Sequence, residues 1–331
     1  MGRFLGDSRG VALILTILIV SLIVALTVQF NRTMRTHVAS AGNVGHGLKA
    51  LYAAKSGVAY GFAVLQDDTP DVDTLQDDWA NPDKMASMGA ASQALFDGGR
   101  FELKIADESG KIPINQLVER EYLEGVFRRL LELEEFELDQ DTVDTIVDST
   151  MDWIDGPSED DEEDELERFR GAEDGYYQSL EKPYHCKNGP LDVPEELLLV
   201  KGVTPELFHG TDDRPGIGKF ISVFGDDEIN INTADIIVLR ALETGLDADG
   251  MAEHREAVDP GELQSPTWYD GFAVAVSSES KKRLEKVVKT TSRHFQITSV
   301  GHFGNMTKHI VAVAERDSDK GDFRTLSWKI E

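Results

Sequence analysis

The hydrophobic pattern is densest near the start of the chain. Val11 to Val28 reads VALILTILIVSLIVALTV, without a charge and with only Thr16, Ser21 and Thr27 polar. At about 1.5 Å per residue such an 18-residue helix spans roughly 27 Å, close to the hydrocarbon thickness of a bilayer. A backbone in lipid must satisfy its own hydrogen bonds, so residues 11–28 are expected to form a membrane helix. The helix is expected to continue to about Leu65. Val44, Leu48, Leu51, Val58, Phe62 and Leu65 recur at helical spacing and mark one face. That stripe predicts packing of residues 44–65 on the chain's own sheet, with the upper part against neighbouring helices. Gly42, Gly45, Gly47, Gly57 and Gly61 each weaken the helix by roughly 1 kcal/mol relative to Ala, and small residues admit a close neighbour.

Residues 67–99 are rich in Asp, Gly and Ala and read as loop, anchored by Trp79. Phe101, Leu103 and Ile105 alternate with polar residues and predict a strand. Turn residues follow at Asp107 to Gly110, then a short apolar run at Ile112 to Asn115. This reads as a hairpin whose second arm Pro113 pushes to a sheet edge. From Glu119 to about Ala257 the period is helical. Tyr122, Val126, Phe127, Leu130, Leu131 and Phe136 mark one helix, and Val143, Ile146 and Val147 another. Helical patterns recur at Pro194 to Val200, Thr233 to Leu242, Asp249 to Ala257 and Lys281 to Val288, interrupted by a strand-like Phe220 to Phe224. Alternation returns at Phe295, Ile297 and Ser299, Ile310 to Ala314 reads as a nearly continuous apolar strand, and Phe323 to Ile330 as a last strand. Strands before and after a long helical block predict an α+β chain, one sheet split by an inserted all-α domain. The sheet unit is placed at 67–115 and 290–331, with 29–66 as the soluble part of helix 1 and 116–289 as the insert.

Charge narrows the partners. Against 33 Lys and Arg stand 61 Asp and Glu, a net charge of −28. Such a surface repels nucleic-acid phosphate and anionic lipid, and suits divalent cations or basic proteins. The single cysteine, Cys186, excludes an internal disulfide framework, which leaves a metal as the candidate staple. The acidic stretch between Gly156 and Leu180, flanked by Asp152, Asp155, Glu173, Asp174 and Asn188, offers the oxygen ligands that calcium takes, though without EF-hand spacing. Its plainer reading is a solvated acidic loop. EELLLVKGVTPELF and NTADIIVLRALETG resemble helix-hairpin-helix units, which elsewhere hold DNA phosphate on backbone amides. They lack a G-x-G turn, and Glu195, Glu196, Glu206, Asp212 and Asp213 surround them with only Lys201 and Arg240 opposing, so nucleic acid is not the expected ligand. No enzyme motif emerges. GIGKFI lacks the third glycine of a dinucleotide loop, His185-Cys186 has no third partner, and neither G-x-S-x-G nor H-E-x-x-H occurs.

A short polar segment, MGRFLGDSRG, precedes the apolar run. A secretory signal has a shorter apolar region followed by a small-residue cleavage site, and neither is found. Gly10 just before the run resembles a type IV prepilin-like leader, cut after the glycine by a membrane peptidase so that Val11 becomes the N-terminus. The alternative is a plain N-terminal anchor. Arg3 and Arg9 before the span and Arg32 and Arg35 after it leave topology undecided by charge.

Ordered fragments along nearly the whole chain resemble one family. They are RGVALILTILIVSLIVAL, FELKIADESGKI, DWID, GAEDGYY, KPYHCKNGPL, EELLLVKGV, ININTADIIVLRAL, FQITSVGHFG and VAVAERD. The family is general secretion pathway protein K, the large minor pseudopilins of type II secretion. The resemblance implies a pilin-like helix 1 packed on an antiparallel sheet, with a helix-hairpin-helix or SAM-like domain inserted. It implies an inner-membrane protein with one span, its N-terminus cytoplasmic and its bulk periplasmic. Prepilin peptidase would process it at Gly10 and Val11. Its implied place is the pseudopilus tip with minor pseudopilins I and J, above the major pseudopilin and the inner-membrane secretion platform. Calcium is implied near DWID and GAED, with Asp160 or Asp161 substituting where Pro157 replaces an acidic ligand. Where most pilin-like subunits carry glutamate at mature position five, this chain has Leu15. A subunit with nothing above it has no neighbouring amine to pair, and an unpaired carboxylate in lipid is costly. The competing reading is a DNA-binding, competence-type pseudopilin using the hairpin segments.

Overall fold

The computed structural model describes residues 8–68, 71–156, 168–317 and 322–331. The described helices are α1 (Ser8–Asp67), α2 (Pro82–Ser92), α3 (Glu121–Glu132), α4 (Gln140–Ile154), α5 (Asp174–Gln178), α6 (Pro205–His209), α7 (Ile236–Leu242), α8 (Ala248–Ala257) and α9 (Ser278–Leu284). The strands are β1 (Gly99–Asp107), β2 (Ile112–Pro113), β3 (Ile221–Ser222), β4 (Ile229–Asn230), β5 (Val288–Lys289), β6 (His294–Phe303), β7 (Met306–Arg316) and β8 (Phe323–Ile330). The chain is therefore α+β.

The main sheet is antiparallel, in the order β1-β6-β7-β8. Alternation places Phe101, Leu103 and Ile105 on the face that meets α1, together with Phe295, Ile297, Ile310 and Ala312. Trp79 is buried in this core, edge-on to Phe295 with 5.3 Å between centroids.

Small residues set how close α1 and the sheet come. A Cβ on Gly301 would lie 2.0 Å from the Ala50 carbonyl oxygen and 2.4 Å from the Ala54 nitrogen. One on Gly57 would meet Ser299 Oγ at 2.1 Å, and one on Gly61 would meet Ile297 at 2.8 Å. The buried face of α1 is thus Ala50, Ala53, Ala54, Gly57, Val58, Gly61 and Leu65, in part a different face from the expected stripe. Val44 and Leu48 are 70% and 52% exposed, because the sheet begins to cover the helix only near His46.

Two further expectations fail. Residues 67–99 contain α2, whose start is capped by Asn81 Oδ1 accepting from the Asp83 and Lys84 N–H groups, with Pro82 in the first turn. The run after Gly110 is not the arm of a hairpin. β2 pairs in parallel with β3, and β1 takes β6 as its antiparallel partner. Ser109, in the presumed turn, instead bonds across the chain, its carbonyl accepting from Asn230 N and its hydroxyl from the Arg293 and His294 N–H groups.

Between Asp107 and His294 lies a separate helical core. α3, α4, α7 and α8 bury Leu123, Val126, Phe127, Leu130, Val143, Ile146, Leu239 and Met251. Arg129 and Tyr122 of α3 donate to the carbonyls of Ala241 and Leu242 at the end of α7. These last-turn carbonyls have no partner within their own helix.

Candidate metal centre and assembly surfaces

Asp152 lies in the last turn of α4 and Asp155 just past its end, while Glu173 precedes α5. One carboxylate oxygen from each lies within 4.8 Å of the others. A calcium ion with ligands at about 2.3–2.6 Å holds its ligand atoms within roughly 5 Å of one another, and it prefers carboxylate and carbonyl oxygen. The donor set therefore fits a hard divalent cation.

Arg168 was not expected here. Its Nη1 donates to Asp152 Oδ1 at 2.6 Å and to Asp155 Oδ2 at 2.7 Å. Asp152 also accepts the Ala172 N–H at 2.9 Å. Burial pushes the Asp152 carboxyl up, and the bonds from Arg168 pull it back. The guanidinium occupies the charge position that a metal would take.

Asp174 lies apart from this trio. Asp174 Oδ1 accepts the Cys186 N–H at 3.0 Å and faces His185 Nδ1 at 3.1 Å. Asn188, with φ of 46°, belongs to a segment that runs alongside the end of α4. Gly189 N donates to the Trp153 carbonyl, and the Asn188 carbonyl comes within 3.4 Å of a Cβ placed on Gly156. Asp160 and Asp161 lie outside the described residues. The Cys186 thiol is half-buried, Sγ 3.8 Å from the Asp152 carbonyl oxygen, and burial pushes it up to about 11.

A second acidic group went unread in the sequence. Asp68, Asp73 and Asp77 converge at the end of α1 on Arg316, the last residue of β7. The Asp-rich run was visible, but the arginine that closes it lies far along the chain.

The assembly surface begins at the membrane end. α1 is one helix long and apolar enough to cross a membrane, and the side chains from Gly10 to Gly45 are all exposed, Val11 and Leu15 among them. So long an apolar surface is not stable in water and needs lipid or other helices around it.

In the hairpin-like segments the turn glycines Gly202 and Gly245 have φ of 90° and 87°. Their cations are already engaged. Lys201 Nζ donates to the Gly171 carbonyl at 2.8 Å, and Arg240 pairs with Glu135 and Asp249.

Comparison with known proteins gives a consistent picture. The family model for type II secretion system (T2SS) protein K matches residues 99–210. A type II secretion system protein K of Pseudomonas aeruginosa is 27% identical over 96% of this chain and 92% of its own. A putative type II secretion system protein K of Escherichia coli K12 is 28% identical over 71% of this chain and 70% of its own. Among solved structures, a chain of the GspK-GspI-GspJ complex from the enterotoxigenic Escherichia coli type 2 secretion system aligns over 90% of this chain and 99% of that one. Its TM-score is 0.65 at 17% identity, which bears on the fold.

Proposed function

We propose that this chain, similar along nearly its whole length to a type II secretion system protein K, is a minor pseudopilin that caps the pseudopilus tip and helps start its assembly. The observation that carries this reading is the helical domain between Asp107 and His294, set on a sheet that rides on one long apolar helix. Side chains from Gly10 to Gly45 are free to pack among neighbouring helices, whereas a domain of this bulk would crowd every layer of a shaft. One copy at the end avoids the clash.

Leu15 supports the same place. A terminal subunit has no amine above it to pair with a glutamate, yet its own Val11 amine can receive the glutamate of the subunit below. The proposed partners are minor pseudopilins I and J, which share a complex with the solved relative. Below them come the major pseudopilin and the inner-membrane platform, with prepilin peptidase cutting between Gly10 and Val11. The span would lie in the inner membrane with the remainder in the periplasm. The role is assembly, with no catalysis assigned. Calcium bound by Asp152, Asp155 and Glu173 would tie the end of α4 to the segment before α5.

N-terminal sequencing of the membrane-extracted protein, with and without the peptidase, tests the processing step. Val11 is expected first when the peptidase is present. Immunogold labelling should find the chain at pseudopilus ends, and copies along the shaft would overturn the reading.

A further inference from the structure

β1 is an edge strand, and its inner side pairs with β6 along Gly99 to Asp107. Its outer side is closed only at the beginning. There Ser92 Oγ accepts the Phe101 N–H at 3.1 Å, and Gly89 packs on the Phe101 carbonyl. In an antiparallel ladder successive residues turn their backbone groups to opposite sides. Leu103 and Ile105 therefore turn theirs outward with Phe101, and among the described residues no backbone partner meets them there. Beside this edge lies a groove of about 790 Å³, walled by Trp79, Met85, Ala86 and Ala90 on one side and by Leu103 and Lys104 on the other.

We propose that this groove receives an extended segment of a different polypeptide, which adds to β1 as a further strand and sets an acidic side chain against Lys104. An open strand edge is completed by another strand, whereas a helix would cover the Leu103 and Ile105 amides without pairing them. Charge selects the acidic partner. Arg100 is paired with Glu102 at 2.9 Å, and Lys84 with Asp78. Lys104 has no ion pair among the described residues, so it is the uncompensated charge on the rim. A second copy fits poorly. Antiparallel pairing of two β1 edges centred here sets Lys104 against Lys104, and two chains of net charge −28 repel.

The test uses the full chain in detergent micelles and a seven-residue peptide of alternating Thr and Val with Glu at its centre. The readout is amide hydrogen exchange. With peptide at millimolar concentration, exchange at Leu103 and Ile105 is expected to slow about tenfold or more. The peptide N-methylated along one edge, on alternate residues, should protect less. Lys104→Glu, at an exposed position, should reverse the preference toward a peptide with central Lys. Absence of slowing, or equal protection by the N-methylated peptide, overturns the proposal. Protection that rises with protein concentration in the absence of peptide would instead identify a second copy as the occupant and overturn it too.

Discussion

Arg316 Nη1 donates to both carboxylate oxygens of Asp73, at 2.9 and 3.1 Å, across 243 residues of chain and out of reach of water. Its Nη2 reaches Asp68 at 2.9 Å. Asp73 also accepts the Ser292 N–H at 2.6 Å, and the Ser292 hydroxyl donates to Asp107. The end of α1, the end of β1, the return from the helical domain and the end of β7 thus meet in one buried polar seam. At pH 8, above the range in which Asp73 holds a proton, Arg316→Met leaves two carboxylates there without their cation. It should cost about 3–5 kcal/mol in urea unfolding.

The same seam carries a pH dependence. Burial pushes the Asp73 carboxyl up from 3.8 to about 7, against the pull of Arg316. Between roughly pH 4 and 7 the folded chain then holds a proton at Asp73 that the unfolded chain releases. This group's contribution is fully present below pH 4 and is lost as pH rises through 7. Asp73→Asn should flatten that part of the stability profile.

The two kinds of glycine in this fold should respond in opposite ways. Gly301→Ala forces a methyl against the Ala50 backbone and is expected to cost about 1–3 kcal/mol. Gly45→Ala meets nothing within 4 Å in mid-helix and should be neutral or stabilising by up to about 1 kcal/mol. Thermal melts of the two variants make the comparison.

Trp79→Ala removes the aromatic that joins the loop before α2 to Phe295 and should cost about 3–5 kcal/mol.

Calcium should raise the melting temperature of the wild-type chain, by an amount equivalent to about 2.7 kcal/mol at a hundredfold excess over Kd. Asp155→Asn should abolish the shift while leaving the metal-free melting point nearly in place, because Asp155 is only partly buried. No shift at millimolar calcium would remove the metal from the account.

β1 and β6 were legible because Phe101, Leu103 and Ile105, and Phe295, Ile297 and Ser299, recur at every second position, and β7 because Ile310 to Ala314 is a nearly continuous apolar run, both of them local properties. The partner of β2 was not legible, because Ser109 and Ile112 bond to residues around 220–230 and 293, which no local pattern announces. α2 escaped notice because its buried positions are Met85, Gly89 and Ser92, a small and partly polar face. The α1 stripe misled for a related reason. Hydrophobic periodicity favours Val44 and Leu48, while the sheet selects Ala and Gly for close approach. At the metal centre, residue type brought Asp152, Asp155 and Glu173 forward. It could not reveal that Asp174 turns to His185 and Cys186, or that Arg168 already neutralises the pair.

The pairing of β1 with β6 dictates an order of events. Synthesis delivers Gly99 to Asp107 long before His294 to Phe303 exists. Throughout that interval β1 has no neighbour on either side, and the alanine-glycine face of α1 has nothing to lie against. The helical domain, built largely from nearer neighbours in the chain, can collapse first and bring its two ends together. The sheet is then the last part to form, and until it does, the rod that anchors the molecule carries a finished head on an unfinished neck.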